Sequence, residues 1–141
     1  ENPYYRNNWS EFHVELYHRQ AERESQAHDK PFITDRGTVD AFAFHPATMR
    51  EVGTTLEQEH QRYTSVVQLG TSAILGEKFY QRDIIRNESM AEALEIEKKI
   101  KKVWSGHPGY HFVDAEIDFE KKFHTFLKLV TNLARIETQD H

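Results

Sequence analysis

The sequence of 141 residues contains no cysteine, which excludes disulfide bonds, cysteine nucleophiles and thiolate metal sites. It contains no apolar run near the roughly 20 residues that span a bilayer, so we expect no transmembrane segment. Gly-x-Ser-x-Gly, His-Glu-x-x-His and Gly-x-Gly-x-x-Gly motifs are also absent. Hydrolase, zinc-protease and Rossmann-type functions therefore have no motif to support them.

A strong excess of positive charge is missing as well. The formal net charge is -5, and most lysines and arginines are scattered along the chain. We therefore expect no general affinity for nucleic acid or for anionic membranes. The basic run at residues 98–102 is interpreted as the solvated face of a helix. The length fits a single domain covering residues 1–141, and the lack of cysteine agrees with a cytoplasmic protein.

The sequence does contain apolar residues in periodic clusters, and its 12% of aromatic residues argues against disorder. Helical spacing predicts helices at residues 10–27, 48–62, 89–104 and 118–135, and short apolar runs predict strands at residues 32–34, 65–69 and 110–113. Ser89 and Glu92 predict a capping box at the start of one helix. Because strands alternate with helices, we expect an α/β fold with a parallel sheet of three strands and flanking helices.

The first candidate site follows the first predicted strand. There the sequence reads Asp35-Arg36-Gly37, with Asp40 three residues later. An acid at the carboxyl end of a strand can hold Mg²⁺, and a neighbouring arginine can neutralise phosphate oxygens. Ligands of open α/β sheets bind beyond these strand ends. The alternative is an ordinary ion pair of Asp35 and Arg36 at a strand-to-loop corner.

Two later loops are candidates for phosphate binding. The loop at residues 70–78 has five residues between its glycines, and Glu77 separates the second glycine from Lys78. A Walker A loop requires four intervening residues and a lysine directly after the glycine, so this loop does not match. In the next loop, Arg82 and Arg86 could close over a phosphate chain as a lid, or the loop could simply be solvated.

A helical metal protein is a further alternative. Glu15 and His18, and likewise Glu57 and His60, form two Glu-x-x-His pairs on predicted helices. Di-iron and di-manganese bundles use two such pairs. The predicted strands and the breaker at residues 106–109 speak against a bundle.

Together, several segments resemble one known family. The shared features are the Asp-Arg-Gly motif followed by Asp40, Ala43 and Phe44; the stretch from Tyr63 to Tyr80; Arg86, Glu88, Ser89, Glu92, Ala93 and Glu95; the Trp104-x-Gly106-His107-Pro108 motif; Val113-Asp114; and Asp118-Phe119-Glu120-x-Lys122. This combination is similar to the P-loop ATPases and kinases that include nicotinamide riboside kinases and TRPL-translocation-defect proteins.

The resemblance implies a P-loop nucleoside-kinase-like fold that binds ATP or GTP with Mg²⁺. It also implies transfer of a phosphoryl group to a nucleoside-like hydroxyl of a small-molecule substrate. By motif match, Asp35 is the magnesium-associated acid or base, Arg36 is a phosphate contact, and Asp40 lies near the acceptor.

The resemblance assigns binding roles to residues later in the chain. Arg82 and Arg86 would belong to the lid. The stretch from Asp114 to Phe119, after the last strand, would approach the nucleotide base.

The sequence departs from this family at its start. Family members begin with a strand, a Walker A loop, its helix and a second strand; this sequence begins at Glu1 and lacks them. The missing first strand would lie between the strands at residues 32–34 and 65–69. We therefore expect that these strands pair directly, that self-association or another chain supplies a strand, or that the chain is N-terminally truncated. In this form we expect no efficient phosphoryl transfer. The alternative function is a non-catalytic regulatory module, in which the nucleotide site controls partner binding.

Overall fold

The computed structural model describes residues 9–76 and 89–139. In chain order these contain α1 (Trp9–Ser25), α2 (Asp40–Phe44), α3 (Thr48–Val52), α4 (Leu56–His60), β1 (Val66–Leu69), a 3₁₀ turn (Ser72–Leu75), α5 (Met90–Trp104), β2 (Tyr110–Val113) and α6 (Phe119–Gln139). Within these ranges, no helix has the length and apolar character that a membrane span requires.

The described residues divide into two compact units. The first unit comprises residues 9–63 together with Lys102–Trp104, the last turn of α5. The second unit comprises residues 64–76, 89–101 and 105–139, and therefore contains both strands.

The second unit is built on a small parallel sheet. β1 and β2 pair in parallel, with Val66 opposite Tyr110 and Leu69 opposite Val113. The amide of Gly70 extends the pairing by donating to the Val113 carbonyl over 2.7 Å. Parallel strands require a crossover connection, which here includes α5. The α/β class and the parallel pairing of these two strands are thus confirmed.

The expected third strand is not found. Residues 32–34 form no strand within the described part of the chain, and the Ile33 side chain is 82% exposed. A strand exists only through its ladder of hydrogen bonds to a neighbour. Here the Thr34 hydroxyl instead donates to the Arg36 carbonyl over 2.7 Å, which bends the chain after residue 34. Of the three alternatives for these strands, direct pairing of residues 32–34 with residues 65–69 is not found among the described residues.

The helix predicted over residues 48–62 is divided into α3 and α4. α3 ends at Gly53, whose φ of 75° lies in the left-handed region that glycine adopts without strain. α4 then begins with its own cap, in which the Thr55 hydroxyl accepts from the Gln58 amide and the Gln58 side chain accepts from the Thr55 amide. This reciprocal capping box explains why a new helix starts so soon after the break.

α1 buries a polar face in the first unit. The buried residues of the helix are His13, Gln20 and Glu24, whereas Leu16 of the same helix is 41% exposed. Buried polar groups are tolerated only when they have hydrogen-bond partners. The apolar part of the core is supplied mainly by residues 39–43, where Phe42 is 1% exposed.

In the second unit, α5 packs its N-terminal half on the 3₁₀ turn. Ala93 and Ala73 are buried together, with Met90 and Leu94 packed against them. The predicted cap at Ser89 is present, because its hydroxyl accepts from the Glu92 amide at 3.2 Å.

Candidate functional site

The loop at residues 34–38, here called the Asp-Arg-Gly loop, is held through its main chain by three side chains. The Gln20 side-chain amide donates to the Arg36 carbonyl over 2.7 Å. The Thr38 amide donates to the Tyr63 hydroxyl over 2.7 Å, and the Gly37 amide donates to Asp40 Oδ2 over 3.1 Å. Three consecutive residues of the loop are therefore fixed by groups from different parts of the unit.

Glu24 supports two of these side chains from α1. Its buried carboxylate accepts from the Gln20 amide at 2.9 Å and from the Tyr63 hydroxyl at 2.7 Å. Arg62 Nη2 contributes an ion pair at 3.1 Å. A buried carboxylate is stable only with partners of this kind. Burial is the main reason why the pKa of Tyr63 is strongly raised, and the bond to the Glu24 carboxylate acts in the same direction.

Asp40 uses both carboxylate oxygens inside the unit. Oδ1 accepts from the Trp104 indole Nε1 at 2.6 Å, and Oδ2 accepts from the Gly37 amide. Burial raises the pKa of Asp40, while these two hydrogen bonds and the charge of Arg36 act in the opposite direction and the charge of Asp35 adds to the rise. The carboxylate thus joins the Asp-Arg-Gly loop to the indole ring.

Gly37 is required at this junction by close contact. A Cβ at this position would lie 2.7 Å from Trp104 Cζ2 and 3.2 Å from the Tyr63 ring. These distances are shorter than side chains tolerate, so glycine permits the loop to approach the two rings.

Asp35 and Arg36 project their side chains to solvent from this fixed loop. Their charges act on Asp40, so the structure brings the three predicted residues of the motif together in the first unit. An exposed carboxylate and an adjacent guanidinium can bind a cation and a phosphate group, respectively.

These residues fit a magnesium–nucleotide complex better than a protein-enclosed metal ion. Among residues 9–76 and 89–139, no group of three or more His, Asp or Glu side chains could hold a metal ion. Mg²⁺ usually binds through one or two carboxylates while retaining water and substrate phosphates. Asp35 could supply one such carboxylate, and Arg36 could supply a partner for the phosphates.

The structure contradicts the di-metal hypothesis. Glu15 is paired with Arg19 through a 2.5 Å contact, and His60 Nε2 lies 2.8 Å from the Val103 carbonyl. His60 also stacks on Trp104 at 5.7 Å. Glu15 and His60 are therefore engaged in other contacts, and the four proposed ligands form no metal site in the described ranges.

The second unit carries the residues expected to approach a nucleotide base. Asp114 is exposed directly after β2, and Phe119 begins α6 with 75% of its side chain exposed. Pockets for small ligands commonly measure about 300–1,000 Å³. The groove between β2 and α6 measures about 610 Å³, and Asp114 and Lys122 form part of its wall. Lys122 Nζ also donates to the Gly70 carbonyl over 2.6 Å.

The two predicted lid arginines, Arg82 and Arg86, lie outside the described residues. Their assignment to a lid therefore stays a prediction.

The sequence patterns did not predict the roles of Gln20 and Glu24, which fix the Asp-Arg-Gly loop from the interior of the first unit. Gln20 and Glu24 are four residues apart on α1, so their spacing alone places them on one helical face. Their connection to Tyr63, 39 residues after Glu24, is a tertiary contact that no local pattern encodes.

Comparison with known proteins identifies the family. Searches of curated proteins and of solved structures gave no significant match. A family model described as an AAA domain matches residues 4–122, which is most of the chain. The chain therefore belongs to this AAA-domain family, whose members are nucleotide-binding domains of the P-loop type.

Proposed function

We propose that the protein binds ATP or GTP with Mg²⁺ through Asp35 and Arg36. One observation carries the proposal: both charged side chains are exposed on a loop whose main chain is fixed by Gln20, Tyr63 and Asp40. Exposed charges that serve only solubility need no such fixed geometry, whereas binding sites depend on it. Membership of the AAA-domain family supports a nucleotide as the ligand.

In this proposal, Asp35 holds Mg²⁺ directly or through water, and Arg36 contacts the phosphates. The bound Mg²⁺ would neutralise phosphate charge, which favours phosphoryl transfer. By the motif resemblance alone, Asp114 and Phe119 would approach the nucleotide base, and Arg82 and Arg86 would belong to the lid.

We propose further that the complete protein transfers a phosphoryl group to a nucleoside-like hydroxyl, as its resemblance to nicotinamide riboside kinases implies. A second candidate is a nucleotide-dependent regulatory module. Phosphate release separates the two functions, because the module binds nucleotide without turnover.

Calorimetric titration of ATP and GTP, with and without Mg²⁺, tests the binding site. Asp35→Asn should abolish the magnesium-dependent part of the affinity, and Arg36→Gln should weaken binding in both conditions. Asp29→Asn and Arg23→Gln are matched controls, because both residues are exposed in the same unit and lie outside the motif. Unchanged binding by Asp35→Asn and Arg36→Gln would contradict the assignment.

A further inference from the structure

The Asp-Arg-Gly loop is fixed through its main chain by three side chains that contact it. The loop's three fixed groups are main-chain atoms: the Arg36 carbonyl and the amides of Gly37 and Thr38. The neighbouring Asp35 and Arg36 side chains remain exposed. The interior therefore determines the path of the backbone and leaves the charged side chains available.

The groups that hold the loop come from separate parts of the sequence. Gln20 lies on α1, Tyr63 follows α4, and Asp40 begins α2. Gln20 is 16 residues from Arg36, and Tyr63 is 25 residues from Thr38. Such contacts form only when the unit has folded, so the loop geometry depends on tertiary structure rather than on a local turn.

Two of the side chains that contact the loop, Gln20 and Tyr63, are themselves fixed by Glu24. The Glu24 carboxylate accepts from both Gln20 and Tyr63, and its buried position is balanced by the Arg62 ion pair. A binding group keeps its geometry only when the residues behind it are ordered. Glu24 supplies this order for two of the three contacts.

Asp40 acts on the loop through the main chain. One of its oxygens accepts from the Gly37 amide and the other from the Trp104 indole. Both strong acceptor positions are thus used within the unit. This arrangement suits a structural support of the loop better than direct contact with an acceptor substrate.

We propose that Gln20, Tyr63 and Asp40 are positioning residues, which fix residues 36–38 so that Asp35 and Arg36 meet a magnesium–nucleotide complex in one geometry. The proposal rests on the proposed function and adds residues outside the charged pair. It assigns Asp40 a role that acts through Gly37 instead of through the substrate.

Tyr63→Phe is the most selective test, because it removes one hydroxyl and keeps the ring beside Trp104. Tyr17→Phe is the matched control: Tyr17 lies in the same unit, and burial together with the nearby Glu59 raises the pKa of its hydroxyl group, as burial and Glu24 do for Tyr63. Both variants lose one tyrosine hydroxyl of the first unit, but only Tyr63→Phe frees the Thr38 amide.

Two measurements on the full chain test the positioning role of Tyr63. Amide hydrogen exchange followed by NMR reports the Thr38 contact, and titration with MgATP and MgGTP reports the site. For Tyr63→Phe we expect exchange of the Thr38 amide to accelerate about tenfold or more. The affinity of the protein for MgATP or MgGTP, whichever it binds, should fall by about tenfold. Tyr17→Phe should change neither quantity beyond about twofold.

A second variant protects the test against loss of folding. Asp40→Asn retains the size of the side chain but offers one acceptor oxygen in place of two, so one of its two donors, the Gly37 amide or the Trp104 indole, loses its acceptor and should exchange faster. Circular dichroism verifies that each variant is folded. Faster exchange with unchanged nucleotide affinity would overturn the positioning role alone. Absence of nucleotide binding by the unaltered protein would overturn the proposed function, and with it this role.

Discussion

The indole Nε1 of Trp104 donates a 2.6 Å hydrogen bond to Oδ1 of Asp40, which lies 64 residues earlier in the chain. Trp104 is 5% exposed, so this bond forms in an interior where water cannot replace a lost partner. The bond connects the last turn of α5 to Asp40, which in turn fixes the Gly37 amide of the Asp-Arg-Gly loop. It is therefore the contact through which a distant part of the sequence stabilises the proposed site.

The first prediction concerns this bond. Trp104→Phe removes the indole donor and leaves the Asp40 carboxylate short of one partner. We expect the free energy of unfolding to fall by about 2–4 kcal/mol, because a cavity adds to the lost hydrogen bond. Urea denaturation measures the change. In a double-mutant cycle with Asp40→Asn, the tryptophan substitution should cost less than it does alone; additive costs would show that the two groups are not coupled.

The second prediction concerns close packing at Gly37. A Cβ added there would lie 2.7 Å from the Trp104 ring, so we expect Gly37→Ala to destabilise the protein by about 1–3 kcal/mol. Gly53→Ala is the comparison, because nothing lies within 4 Å of its Cβ and only its φ of 75° opposes the substitution. That strain should cost about 1 kcal/mol. Equal midpoints of thermal unfolding for the parent and Gly37→Ala would refute the contact.

Local patterns in the sequence predicted most helices and two of the three expected strands. The long amphipathic stretches that became α5 and α6 carry their own caps and spacing, so their positions could be predicted without tertiary information. Residues 32–34 are apolar like a strand, but they have no pairing partner in the described part of the chain. Pairing is a property of two segments, and a prediction from one segment cannot include it.

Within the candidate site, the sequence predicted the exposed charged residues but not the buried residues that fix the loop. Asp35 and Arg36 stand in a recognisable motif, whereas Gln20 and Glu24 are polar side chains, whose burial hydrophobic periodicity does not predict. Their burial depends on complementary groups such as Tyr63, which become neighbours only in the folded unit. Polar burial of this kind leaves no periodic signal in the sequence.

The third prediction concerns the pH dependence of stability. His13 is 2% exposed on α1; burial, its largest influence, lowers its pKa, and the charge of the stacked His45 adds to this effect. The hydrogen bond to the Trp9 carbonyl opposes it. Because the pKa is 6.5 in the unfolded chain and lower in the folded one, the unfolded state takes up the proton first as pH falls.

The stabilisation due to neutral His13 is therefore fully present above the unfolded pKa of 6.5 and is lost as pH falls through the folded pKa. We expect the free energy of unfolding to decrease on acidification by at most about 1.4 kcal/mol per pH unit from this residue. His13→Phe should reduce the slope measured by urea titrations between about pH 7.5 and pH 5. His18→Gln, an exposed residue of the same helix, is the control and should leave the slope unchanged.

The fourth prediction separates stability from binding at Phe119. With 75% of its side chain exposed, Phe119 contributes little to the core of the second unit, so Phe119→Ala should change the free energy of unfolding by less than about 0.5 kcal/mol. If its ring stacks on the nucleotide base as proposed, the same substitution should weaken nucleotide binding by about 1–3 kcal/mol. Denaturation and calorimetric titration of one protein sample measure the two effects.

Phe42→Ala is the comparison for Phe119→Ala, because Phe42 is buried whereas Phe119 is exposed. Phe42 is 1% exposed and stacks on Tyr17 at a ring distance of 5.8 Å, so its truncation should destabilise the first unit by about 3–5 kcal/mol. An equally large loss of stability in Phe119→Ala would mean that this ring is covered in solution. Full stability with unchanged nucleotide affinity would instead remove Phe119 from the site. Only a stable variant with weakened binding supports the assignment of the exposed ring to the nucleotide base.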